Sequence, residues 1–148
     1  MTPEPAPQRP TENRIFSLIL PVGDIIALLL FMSLGQRDHN TVDPVHPVLG
    51  LLVLTAEFVL PWIVAGWLLG AFPRRKVPGR GTFLARSLNA WLVAAPLGLL
   101  LRAFVLSRAV IPTLFMVVTV GLGGMFVIGW RLIFFEVRRA AGRRSGPA

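Results

Sequence analysis

The chain has 148 residues, 54% of them hydrophobic, and its mean hydropathy is +0.68. It carries 15 Lys and Arg against 7 Asp and Glu, a formal charge of +8, and no cysteine. The absence of thiols excludes disulfides and thiolate metal sites, and apolar residues gathered in long blocks exclude an ordinary soluble domain, whose apolar positions recur at helix or strand period.

Residues 1–14 contain Pro3, Pro5, Pro7 and Pro10 among polar side chains. Such a segment buries no apolar surface and is expected to be a disordered tail. Four apolar blocks follow, at about 15–34, 48–72, 82–106 and 109–135. Each is long enough to cross a hydrocarbon core about 30 Å thick, which takes roughly 20 residues of helix. None alternates apolar and polar residues, so a β-barrel is excluded. The predicted fold class is therefore all-α, a four-transmembrane-helix bundle over residues 15–137 with a basic tail at 138–148. The first block exceeds a signal-peptide h-region and has no A-x-A site after it, so it is expected to stay in the mature protein.

Charge decides the orientation. Arg74, Arg75, Lys76 and Arg80 fall between the second and third blocks, Arg138, Arg139, Arg143 and Arg144 follow the fourth, and Arg9 and Arg14 precede the first. The other two loops hold only Arg37 and Arg108. This asymmetry is the positive-inside pattern. Both termini and the middle loop are assigned to the cytoplasm of a cell membrane, with anionic lipid headgroups as the partner at that face. The basic pI of about 11.9 is thereby a topology signal, and no nucleic-acid partner is expected.

Within the loops, "GQRDHNTVDPVHP" at 35–47 ends the first helix through Pro44 and Pro47. The short connection at Ser107 to Ala109 predicts an antiparallel hairpin of the third and fourth helices, with Pro112 in the first turn of the latter. Ala90, Ala94 and Gly98, Gly66 and Gly70, and the run Gly121 to Gly124 are small residues expected to let helix backbones approach.

The candidate site starts from an acid. Asp24 stands in "LPVGDIIALLLFMSL", otherwise apolar, about 13 Å beyond Ile15 at 1.5 Å per residue. Glu57 stands at a similar depth in the second block. A charge there costs at least about 2.5–3.5 kcal/mol, so both acids should face the bundle interior. If they meet, they titrate as a pair and can share a proton. Pro21, Pro61 and Pro96 deprive the carbonyls of Ser17, Glu57 and Leu92 of their helical partners. Carboxylates beside such carbonyls are a ligand set for a proton or hard cation. Asn89 is deep enough to donate to a carboxylate, and Arg86, one turn away, either joins it or snorkels. Arg102 is placed near the outer surface, and Arg131 beside Glu136 at the inner end of the fourth block. The competing reading makes the buried polar groups hydrogen-bonding glue that fixes helix register.

His39 and His46 flank Asp43 in the outer loop, but their spacing matches no tight metal motif. Trp62, Trp67, Trp91 and Trp130 read as packing or interfacial anchors. No Walker loop, nucleophile elbow or H-E-x-x-H occurs. No enzyme activity and no cofactor is called for, although a quinone or pigment among the tryptophans and glycines stays open.

The segments "GDIIALLLFMSLGQRDH" at 23–39, "PWIVAGWLL" at 61–69, "WLVAAPLGLLLR" at 91–102 and "GWR" at 129–131 together resemble a family of prokaryotic membrane proteins, domain of unknown function 3054. The resemblance spans nearly all four helices. It implies a four-helix membrane protein without an established activity to carry over. It singles out Gly23, Asp24, His39, Trp91, Arg102 and Arg131, and leaves Glu57 outside the pattern. Two functions are carried forward. One is a structural or accessory membrane protein, packing against itself as a homo-oligomer or against a larger complex. The other is a proton- or cation-handling protein that uses Asp24.

Overall fold

The computed structural model describes residues 10–38, 44–73, 78–107 and 113–144. They form helix α1 (Pro10–Asp38), α2 (Pro47–Leu68), α3 (Arg80–Val105), α4 (Thr113–Val118), a π-helical turn (Thr119–Gly123) and α5 (Gly124–Arg144). The last three run on as one span. Among the described residues there is no strand, and all four spans are long and apolar enough to cross a membrane. The outer surface is apolar along every span, with Leu30, Leu60, Leu100 and Met125 all more than half exposed.

Helix ends follow the local chemistry. α1 outlasts its apolar block at both ends, taking in residues 10–14 and 35–38. α2 opens on Pro47, whose missing N–H is harmless in a first turn. It closes at Gly70, with φ +68°. There Ala71 N–H donates to the Gly66 carbonyl at 2.8 Å and Gly70 N–H to that of Trp67 at 3.4 Å. This is a Schellman cap, and a left-handed residue at that position favours glycine. Helix therefore stops at Leu68 although the apolar block continues to Phe72. Gly70 makes the turn, and Gly66 takes the Phe72 ring, where a Cβ would stand 2.5 Å from a ring carbon. The helix–helix contact expected at these two glycines is replaced by a cap.

Pro21, Pro61 and Pro96 lie inside α1, α2 and α3 without ending them. In the fourth span the π turn corrects the face. Counted back from Arg131 at 3.6 residues per turn, an unbroken helix would turn Val117 inward and Phe115 outward. The extra residue of a π turn reverses this: Val117 is 65% exposed, while Phe115 packs against the core.

Three apolar clusters stack along the bundle. Leu20, Phe83 and Phe134 form one near the start of α3. Leu28, Trp62, Ala90, Trp91, Ala94 and Val127 form the middle. Phe31, Leu54, Phe58 and Leu99 form the other end. The stripe Ala90, Ala94 and Gly98 is buried, and Gly98 lies so close to α2 that a Cβ would stand 2.5 Å from the Phe58 ring.

Candidate functional site

Asp24 is answered by Arg131. Both are fully buried. Arg131 Nε donates to Asp24 Oδ1 at 3.0 Å and Nη2 to Oδ2 at 2.7 Å, a bidentate fork. Oδ2 also accepts the indole N–H of Trp62 at 3.1 Å. Nη1 of Arg131 donates twice more, to the Ala71 carbonyl at 2.7 Å and to Ser87 Oγ at 2.9 Å. Ser87 in turn donates to the Phe83 carbonyl at 2.8 Å. The guanidinium carbon lies 4.7 Å from the ring centroid of Trp62, 4.8 Å from Phe72 and 5.7 Å from Phe83. An aromatic cage of this kind stabilises a desolvated cation by about 2 kcal/mol.

Every span contributes to this clasp. α1 brings the carboxylate and α2 the Trp62 indole. The Gly70 cap aims the Ala71 carbonyl and places Phe72. α3 brings Phe83 and Ser87, and α5 brings Arg131. Chemically, the fork neutralises both ions and occupies both carboxylate oxygens.

Glu57 has a separate partner. Arg102 Nη1 reaches its Oε2 at 3.0 Å, and the guanidinium carbon lies 5.4 Å from the Phe115 ring centroid. The Glu57 side chain is buried, and that of Arg102 is 25% exposed. Arg102 stands one turn from the end of α3 yet turns back into the bundle, as helical side chains lean toward the N-terminus. The sequence leaves open whether the two acids meet; each is held by its own arginine.

Two other sequence candidates do not join the site. Asn89 and Arg86 are exposed on the outer side of α3, and Arg86 reaches toward Gly70. Asn89 therefore supports neither acid. Arg131 does not turn to Glu136, which pairs with Arg80 at 3.3 Å. The apolar block ends at Phe135, which suggested a terminal Arg131, but α5 runs on to Arg144 and carries Arg131 well inside the span. His39 lies outside the described residues, and His46 stands immediately before α2. Ser87, Ala71 and Trp62 were not assigned to the site from sequence. The available signal was that an acid and an arginine, each inside an apolar block, need each other.

Over residues 21–134 the sequence matches the family described as "Protein of unknown function (DUF3054)". The chain belongs to that family. No curated protein and no solved structure matches it. The matched segment holds the whole clasp together with Glu57 and Arg102. Gly23 and Trp91, also singled out in the sequence, bring tryptophans against backbone. At Gly23 an added Cβ would run into the Trp130 ring, whose indole donates to the Leu20 carbonyl at 3.2 Å. Trp91 lies on Gly123 and Gly124, where Cβ atoms would approach it to 2.9 and 2.7 Å, and its indole donates to the Val120 carbonyl in the π turn at 2.8 Å.

Proposed function

We propose that this DUF3054 member is a multi-pass protein of the cell membrane with a structural or accessory role, its termini and the α2–α3 loop facing the cytoplasm. The orientation rests on the Lys and Arg distribution, which also provides for contact with anionic headgroups. The role rests on one observation: Asp24 and Arg131 are sealed in a bidentate pair with no exposed surface. A proton- or cation-carrying acid must change partners during turnover. This carboxylate has both oxygens engaged by Arg131 and Trp62. That geometry favours register-fixing glue over ion handling at Asp24.

The test combines flux and assembly. In proteoliposomes, wild type is expected to show no proton or cation flux that Asp24→Asn removes, while the variant accumulates poorly in membranes. Flux abolished by Asp24→Asn at normal membrane levels would replace this reading with ion handling.

A further inference from the structure

Asn89 is the tenth residue of the 26-residue α3, about 13 Å from its start, so the proposed bilayer places its amide inside the hydrocarbon. Asp24, Glu57, Ser87 and Arg131 are buried and bonded within the bundle. Asn89 is turned the other way. It shares an exposed stripe with Thr82, Ala85, Leu92, Val93 and Pro96, all within about 60° of it at 3.6 residues per turn. A second polar group belongs to this stripe. Pro96 has no N–H, so the Leu92 carbonyl lacks its usual helical donor. One turn of the lipid-facing surface therefore presents an amide with donors and acceptor next to a carbonyl short of a donor. Lipid tails satisfy neither.

We propose that this stripe of α3 is the interface of a homodimer, with Asn89 of each copy hydrogen-bonded to the other across a two-fold axis. An amide is its own complement, and a two-fold axis along the membrane normal brings the same residue of two copies to the same depth. Ala85 keeps the approach close on the cytoplasmic side, and Arg86 leans away toward Gly70. This inference rests on the membrane-embedded reading above and not on the structural role assigned to the clasp.

The chain has no cysteine, so single thiols report without background. Ala85→Cys and Leu92→Cys, oxidised in native membranes, are each expected to give a disulfide dimer. Ile63→Cys, on the exposed face of α2, is expected to give none. Adding Asn89→Leu should weaken dimerisation roughly 5- to 30-fold, the range for one or two membrane hydrogen bonds of about 1 kcal/mol each. Photobleaching of sparsely reconstituted, labelled protein should move from two steps to one. Because Asn89 is exposed on the outer side of α3, the unfolding midpoint of Asn89→Leu should hold, which separates lost dimer from lost fold. Membrane-resident protein that bleaches in one step, or links at residues 85 and 92 only to another protein, overturns the dimer alone. Recovery outside the membrane overturns both readings.

Discussion

The Asp24 carboxylate and the Arg131 guanidinium each offset the other's cost of burial, and among the described residues neither has a second ion-pair partner. Asp24→Asn keeps the shape but leaves Arg131 as an uncompensated buried cation. The expected loss is about 3–5 kcal/mol, read from reversible unfolding in micelles. Arg131→Lys should recover little of the wild-type stability, because an ammonium cannot reproduce a fork while also reaching Ala71 and Ser87. Wild-type-like unfolding of Arg131→Lys would show that the fork contributes nothing. At this scale the need was legible in the sequence and the partner was not. Asp24 declared itself by standing alone among apolar residues. Its pairing with Arg131 spans 107 positions, and depth arithmetic along single helices does not resolve which of several facing groups lies at the same azimuth. Glu57 illustrates a second limit: counting from the block ends puts it level with Asp24, but it stands beside Phe58 and pairs with Arg102 at the other end of the bundle, because the block ends do not fix how far one helix is shifted along its neighbour.

Two glycine turns decide where the elements place their cargo. Gly70 holds φ +68°, so Gly70→Ala should cost about 1–2 kcal/mol and loosen the Ala71 carbonyl from Arg131. Unfolding in micelles reads this cost, and an unchanged midpoint would remove the cap from the description of the site. At the first residue of α5, directly after the π turn, a Cβ at Gly124 would press the Trp91 indole nitrogen at 2.7 Å. Gly124→Ala is expected to cost about 1–3 kcal/mol as overpacking and to change Trp91 fluorescence. Gly121→Ala, with nothing within 4 Å of its added methyl, should be silent by both measures. The spans themselves were legible because hydrocarbon thickness fixes their length. The π turn was not. Phe115, Met116, Val117 and Val118 are all apolar, and in lipid an apolar residue is accepted on either face, so composition carries no record of the inward side. Gly66 and Gly70 were legible as meaningful and misread as packing positions, because spacing alone does not separate a cap from a contact.

Across the whole molecule, apolar contact between helices gains little over contact with lipid tails, so packing and polar bonds must hold the bundle. Among the described residues, one buried and one part-buried ion pair fasten different spans. Asp24–Arg131 joins the first span to the last, and Glu57–Arg102 joins α2 to α3. The proposed orientation is checked with thiols at Val45 and Gly79, both exposed and at opposite ends of the bundle. Val45→Cys should react with an impermeant maleimide in intact cells, and Gly79→Cys only after permeabilisation; the reverse pattern would invert the topology. The clasp itself is tested most directly by a double-mutant cycle on unfolding free energy in micelles, using Asp24→Asn, Arg131→Gln and the pair together. If the ion pair fastens the bundle, each single change is strongly destabilising and the double change is far less so than their sum, with a coupling of about 2 kcal/mol or more. Additive effects, or single changes that leave stability untouched, would contradict it.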